Sequence, residues 1–164
     1  YRYARQNIGI AEPRYGHHVE DITEYVDGTH EDKMQRLLGW VEESKEEELT
    51  GFIGGPPCPD FSVAGKNRGR DGENGKLSET YARLICTALP DFFLFENVKG
   101  LSRTARHRAF FEELKQQFRD NGYCLTEQLV NSLEFGAPQD RDRIILIGFR
   151  QDIADQLFSV SIIS

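Results

Sequence analysis

The sequence predicts an α/β fold with a mostly parallel sheet that is covered by helices. Short apolar runs at 51–54, 92–95 and 144–149 have the length of strands, and segments with helical spacing lie between them. The 164 residues are enough for one domain with one core. Ligands of such sheets bind beyond the carboxyl ends of the strands, so we expect the chemistry to follow residues 53 and 95.

The helix between 30 and 44 carries Met34, Leu37, Leu38 and Val41 at helical spacing. The run 92–95 is continuously apolar, which is typical of a strand buried on both faces. Asn121-Gly122 closes a helix that contains 110–118. The remaining predictions are the end of a helix at 2–8, strands at 18–22, 125–130 and 144–149, a glycine-rich loop at 65–76, and a helix at 77–89.

The net charge of −7 is unevenly distributed along the chain. Residues 20–50 hold 11 acidic and 3 basic side chains, a net of −8, which leaves +1 for the rest of the chain. Local charge governs docking to a polyanion, so this balance does not exclude nucleic acid as a partner. The sequence has no apolar run long enough to cross a bilayer, and no signal-peptide pattern opens it.

The three cysteines, Cys58, Cys86 and Cys124, are far apart and form no CxxC pair. Their spacing favours neither a metal site nor a disulfide framework, so we expect no metal and a reducing, intracellular compartment. Cys86 and Cys124 lie in apolar patterns typical of packing residues. Cys58 differs, because it stands between two prolines after a strand and two glycines. This frame can present a nucleophilic thiol, although a structural cysteine is also compatible with it.

Two further groups could carry chemistry. Glu96 follows the apolar run 92–95 and is either a turn cap or a carboxyl held in a crevice, where it could keep a proton. Arg141 and Arg143 alternate before the last apolar strand, which is typical of a solvated charged edge or of two donors for phosphate or base oxygens.

These three pieces together resemble the DNA cytosine-5 methyltransferase family. The stretch Gly54 to Ser62 is similar to the Pro-Cys motif, 95–98 to the Glu-Asn-Val motif, and 139–143 to the Gln-x-Arg-x-Arg motif. The order and spacing of the motifs also agree with the family over residues 1–150. Pro59 departs from the pattern, since many members have Gln after the cysteine. The resemblance implies a Rossmann-like fold that depends on S-adenosylmethionine.

The resemblance also implies roles for individual residues. Cys58 would attack carbon 6 of a cytosine flipped out of double-stranded DNA, and Glu96 would hydrogen-bond the base. Arg143 would contact the base carbonyl, with Arg141 nearby on phosphate. The remaining DNA contacts would come from Ser62, Lys66, Arg68, Arg70, Asn97 and Gln139. S-adenosylmethionine would be held by Asp21, Ile22, Pro57 and Leu77, although Asp21 is equally compatible with a turn or cap.

Two cofactor elements of the family are missing: the glycine-rich turn after its first strand and the acid after its second. We therefore expect an incomplete catalytic domain over 1–150, without the first strands, and the connection to a target recognition region over 151–164. Such a fragment alone would be inactive. The location would be cytoplasmic in a prokaryote and nuclear in a eukaryote, and a role in restriction–modification or in regulation stays open.

Two other functions stay open, namely a transfer-RNA cytosine-5 methyltransferase and a non-catalytic nucleic-acid-binding fragment. A phosphate-binding loop and a serine hydrolase are disfavoured, because their motifs are absent. A Cys-His hydrolase would need His17, His18, His30 or His107 as its base, and single histidines are usually structural.

Overall fold

The computed structural model describes residues 12–57 and 73–159, which form a four-stranded sheet with helices packed on it. The strands are β1 (Gly51–Gly54), β2 (Phe92–Val98), β3 (Tyr123–Asn131) and β4 (Asp142–Arg150). The α-helices are α1 (Glu31–Lys45), α2 (Glu73–Ala88), α3 (Ala105–Asp120) and α4 (Gln151–Ser159). Three short 3-10 helices are η1 (Ile22–Tyr25), η2 (Lys99–Ser102) and η3 (Ser132–Phe135). No helix in these ranges is long and apolar enough to cross a membrane.

The sheet has the strand order β1-β2-β4-β3 and is mixed, which corrects the predicted mostly parallel sheet. β1 and β2 are parallel, whereas β4 runs antiparallel to both β2 and β3. The reason lies in the short connection 132–141, which holds only η3. Neighbouring parallel strands need a crossover of about a dozen residues or more. β4 therefore returns against β3, and its first residues meet the last residues of β2.

One face of the sheet forms the core. Phe93 and Phe95 of β2 are almost fully buried against Phe111 and Phe118 of α3. The alternate residues of β2 are only half-buried, so this strand is not buried on both faces as its apolar run predicted. Aromatic side chains contribute most to the stability of this core, because their burial removes large apolar areas from water.

Three of the four predicted helical segments are confirmed as α1, α2 and α3. α2 begins at Glu73, so the last residues of the predicted loop 65–76 are helical, while 65–72 lie outside the described residues, as does 2–8. Gly122 has a φ of 84° at the end of α3, a conformation that favours glycine. The structure also contains α4, whose Ala154 is buried, directly after β4. The boundary after residue 150 stays a prediction.

The strand predicted at 18–22 is wrong, because η1 occupies 22–25 and residues 18–21 form no strand. The Asp21 carboxylate accepts hydrogen bonds from the backbone N–H of Thr23 at 2.9 Å and from its hydroxyl at 2.8 Å. Such local side-chain bonds satisfy backbone groups that a strand would otherwise pair. They also lower the pKa of Asp21.

Candidate active site

An ion pair joins two of the predicted catalytic residues at the carboxyl end of β2. Arg143 Nε lies 2.6 Å from Glu96 Oε1, and the two side chains are 18% and 39% exposed. A second Arg143 nitrogen, Nη1, donates to the carbonyl of Asp142 at 2.7 Å. The guanidinium is therefore fixed at both ends, and it orients the Glu96 carboxylate while leaving part of it open to solvent.

Gly55 brings the end of β1 against this pair. A Cβ at Gly55 would stand 2.9 Å from Glu96 Oε2, closer than side chains normally approach. The register places Gly54 opposite Phe95, so Gly55 follows level with Glu96. Pro56 and Pro57 continue the chain from there. Cys58 lies outside the described residues, and so do Ser62, Lys66, Arg68 and Arg70.

Three other residues predicted to contact base or DNA are described, namely Arg141, Gln139 and Asn97, and none of them takes part in this ion pair. Arg141 and Gln139 are exposed, and in the described ranges no ion pair links Arg141 to Glu96. The loop that carries Arg141 is fixed, since its carbonyl accepts from the backbone N–H of Ser132 at 3.1 Å and from its hydroxyl at 3.2 Å. Asn97 is 2% exposed, and its side-chain oxygen accepts a hydrogen bond from the backbone N–H of Val98 at 2.8 Å. Its predicted DNA contact stays a prediction.

A cavity of about 600 Å³ opens beside β1. Three of the four residues predicted to hold a cofactor line it, namely Ile22, Pro57 and Leu77. They come from η1, the turn after β1, and α2, so the fold brings together residues that are distant in sequence. Sequence reasoning missed the other lining residues, among them His18, Glu20, Tyr25, Gly54 and Tyr81.

Asp21, the fourth predicted cofactor residue, does not line the cavity, whereas its neighbour Glu20 does. Glu20 is paired with Arg36 at 2.8 Å and accepts a hydrogen bond from the Tyr25 hydroxyl. That bond lowers the pKa of Glu20, while burial is the main cause that raises the pKa of Tyr25. Both Thr23 bonds of Asp21 go to Oδ1, which leaves Oδ2 able to accept another donor.

Tyr81 is a buried residue that lines the cavity. Its hydroxyl donates to the carbonyls of Leu94 at 2.9 Å and Phe52 at 3.3 Å, which ties α2 to both β2 and β1. Burial raises the pKa of Tyr81 well above its ordinary range, so the group stays a neutral donor. A Cβ at Gly54 would lie 2.3 Å from the Tyr81 ring, so glycine is required for this close contact.

Three of the histidines have local structural partners. His107 is buried and its Nδ1 lies 3.1 Å from the Gly100 carbonyl. His30 contacts Asp27 at 2.9 Å, and His18 contacts the Tyr15 carbonyl at 2.8 Å. These contacts are typical of histidines that hold loops and helix ends in place. In the part of the chain that the structure describes, no group of three or more His, Cys, Asp or Glu is placed to hold a metal ion.

Comparison with known proteins agrees with this geometry. The model of the family described as C-5 cytosine-specific DNA methylase matches residues 20–162. The Type II methyltransferase M.NmeDI of Neisseria meningitidis serogroup C is 54% identical over 158 residues, which cover 96% of this chain and 37% of that protein. M.MthTI of Methanothermobacter thermautotrophicus, also a Type II methyltransferase, is 41% identical over 73% of this chain and 36% of its own length.

A solved structure supports the fold. The crystal structure of a prophage-encoded DNA modification methyltransferase of E. coli superimposes with a TM-score of 0.61 at 24% identity, over 96% of this chain and 41% of that protein. The chain thus spans less than half the length of the proteins it matches. With the motifs, the paired Glu96 and Arg143, and a family match over most of its residues, the chain belongs to the C-5 cytosine-specific DNA methylase family.

Proposed function

We propose that this chain supplies the central part of an enzyme that transfers a methyl group to carbon 5 of cytosine in double-stranded DNA. The observation that carries this proposal is the Glu96–Arg143 pair, held against Gly55 three residues before Cys58. Activation of a pyrimidine ring requires a carboxyl, a guanidinium and a thiol. The first two lie together at one end of the sheet, and the thiol belongs to the residue three positions after Gly55 in the sequence. The Type II methyltransferase names of the relatives support the same reaction and favour restriction–modification as its setting.

In the proposed reaction the Cys58 thiolate forms a bond to carbon 6 of the target base. The ring electrons then make carbon 5 nucleophilic. After methyl transfer, a base takes the proton from carbon 5. The electrons of that C–H bond restore the double bond between carbons 5 and 6, and the bond between carbon 6 and sulfur breaks to release the thiolate. Duplex stacking hides carbon 6 from a side chain, so the target base has to leave the helix first.

Glu96 and Arg143 would stabilise the charge that develops on the ring. Glu96 would hold a proton toward the ring nitrogen and accept from the exocyclic amine, while Arg143 would donate to the base carbonyl. Arg143 keeps the Glu96 carboxyl oriented before the base arrives, through the 2.6 Å contact. Preorganised donors of this kind contribute more to the rate than to binding.

The cavity beside β1 fits the cofactor that this chemistry needs. Its volume of about 600 Å³ is typical of sites for molecules of this size, and Ile22, Pro57 and Leu77 offer apolar walls. Asp21 stays a proposed contact through its second carboxylate oxygen. S-adenosylmethionine, when bound, supplies the methyl group as an electrophile. The chain's own contribution is to exclude water, and Gly54 and Gly55 permit the close contacts with Tyr81 and Glu96 that shape the end of β1.

The proposed contacts to the DNA backbone include Ser62, Lys66, Arg68 and Arg70, together with the exposed Arg141 and Gln139. Cations and amides of this kind position a duplex without reading its sequence. An enzyme with this substrate works inside the cell, and the prokaryotic relatives favour the cytoplasm.

Covalent capture tests the proposal. The full-length protein is incubated with S-adenosylmethionine and duplex DNA in which 5-fluorocytosine replaces cytosine. The fluorine cannot leave as a proton does, so the adduct persists and is seen as a band that resists denaturation. Cys58→Ala is expected to abolish this band, whereas Cys124→Ala is the matched control and keeps it. An adduct that forms equally well with Cys58→Ala would show that Cys58 is not the nucleophile.

A further inference from the structure

A basic segment follows β2 directly and is not needed for the chemistry at the base. Between Glu96 and Glu112 the sequence has four cations and no acid: Lys99, Arg103, Arg106 and Arg108. All four residues are exposed. In a chain with a net charge of −7, this is a marked local excess of positive charge. We call residues 99–108 the basic segment.

The basic segment lies at the same end of the sheet as the Glu96–Arg143 pair. Lys99 Nζ is 2.9 Å from the Asp142 carboxylate, which belongs to the residue before Arg143. This contact is the main cause that lowers the pKa of Asp142. Val98, just before the segment, is the register partner of Arg143. The basic segment therefore begins beside the proposed catalytic residues.

The backbone of the segment is anchored while its cations face solvent. Leu101 is fully buried, and the buried ring of His107 contacts the Gly100 carbonyl. The Thr104 hydroxyl caps α3 by accepting from the backbone N–H of His107 at 3.1 Å. Apolar and capping contacts thus hold η2 and the start of α3, and leave the four long side chains on the surface.

The positive charges near the beginning of α3 are unfavourable for the helix. Arg106 and Arg108 lie at the beginning of α3, whose first turn contains no acid. The amino end of a helix carries partial positive charge and favours acids there, so these arginines disfavour the helix. Cations together with helix N–H groups form a good environment for an anion. An anionic partner would offset the unfavourable charges.

We propose that the basic segment binds the phosphate backbone of the duplex that carries the target base, an inference that rests on the proposed function. Lys99 would contact phosphates close to the extruded base, and Arg103, Arg106 and Arg108 would follow the backbone away from it. These cations would position the duplex without reading its sequence, so their removal weakens binding equally on all duplexes.

The test measures the affinity of the full-length protein for a fluorescent 30-base-pair duplex by anisotropy, as a function of salt concentration. Arg103→Gln removes one cation from the segment, and Arg119→Gln is the matched control at the other, exposed end of α3. Removing one cation that neutralises a phosphate lowers the slope of log affinity against log salt by about 0.9. We expect this decrease for Arg103→Gln and no change for Arg119→Gln.

A triple variant, Arg103→Gln with Arg106→Gln and Arg108→Gln, is expected to lower the slope by about 2 to 3. Circular dichroism checks its fold, and the single variant keeps the test decisive if the triple variant does not fold. The inference is overturned if the slopes for the Arg103→Gln and triple variants are unchanged. It is also overturned if these variants lose RNA binding while their binding to duplex DNA is unaffected. If the unmodified protein still forms the 5-fluorocytosine adduct, the proposed function stands in either case.

Discussion

Arg143 Nε forms an ion pair with Glu96 Oε1 at 2.6 Å, although the two residues are not register partners. Glu96 is opposite Ile145 and Arg143 is opposite Val98, so the pair spans β2 and β4 diagonally. Diagonal neighbours in an antiparallel ladder are within reach of long side chains. The contact exists because β4 runs back along β2, which brings the first residues of β4 to the last residues of β2.

Glu96→Gln in the full-length protein is expected to slow methyl transfer by about 100-fold or more and to change DNA affinity much less. The amide can still donate a hydrogen bond, but it cannot supply a proton to the base. Single-turnover methylation and anisotropy separate the two effects. Glu48→Gln, at an exposed carboxylate remote from the pair, is the control. Equal losses of rate and affinity would contradict this role for Glu96.

Gly55→Ala is expected to reduce methyl transfer without destabilising the fold. The new Cβ would stand 2.9 Å from Glu96 Oε2, so the carboxylate has to move away from its position at Arg143. Gly55 has no positive φ, so alanine is allowed there, and thermal unfolding should show the same or a slightly higher Tm. Gly39→Ala, where a Cβ meets no atom within 4 Å, is the control with full activity. Full activity of Gly55→Ala would mean that the carboxyl position is not critical.

The Cys86 thiol is expected to react slowly with iodoacetamide until the pH is high. Burial raises the pKa of Cys86 to about 11, so little thiolate exists at pH 8 in the folded protein. Because the pKa of Cys86 is higher in the folded than in the unfolded chain, this thiol also makes the free energy of unfolding depend on pH. Its contribution is fully present below the unfolded-state pKa and is lost as the pH rises through about 11. Mass spectrometry of the Cys86 peptide measures the rate, with the urea-unfolded chain as reference. Equal rates in both states would contradict the burial.

The 164-residue chain by itself is expected to bind S-adenosylmethionine weakly or not at all, and not to methylate DNA. The sequence lacks the glycine-rich turn and the ribose-binding acid of Rossmann-like sites. In addition, Ile53 of β1, which lines the cavity, is 75% exposed, so the cavity is open to solvent beside this strand. Calorimetric titration measures the affinity, and circular dichroism checks that the chain is folded. Micromolar binding would show that the residues around the cavity are sufficient.

Much of the fold could be predicted because local patterns determine it. The spacing of Met34, Leu37, Leu38 and Val41 indicated α1, and Asn121-Gly122 indicated the end of α3. Strand direction is not a local property, which explains the error over β4. The short connection 132–141 was a usable signal, since it leaves too little chain for a parallel crossover. Asp21 shows the other kind of error, in which a side chain bonds its own turn and overrides an apparent strand.

The candidate site was predicted by residue type and not by geometry. The motifs singled out Glu96 and Arg143, and the structure brings them together. They equally singled out Asn97, whose burial follows from the alternation of β2 that places it on the same face as Phe93 and Phe95. Glu20 and Tyr81 were missed, because their position at the cavity depends on how η1 and α2 pack, which no short motif encodes.

The position of β4 between β2 and β3 also governs the order in which the chain can fold during synthesis. β3 has no partner in the described sheet other than β4, so it cannot join β2 until residues 142–150 have been made. At ribosomal rates of about 5–20 residues per second, β3 waits about 1–4 s for its partner. During this interval the edge of β2 is open to wrong pairing. Glu96 then meets Arg143 only when β4 is inserted, so a nascent chain that stops before β4 has neither the complete four-stranded sheet nor a paired Glu96.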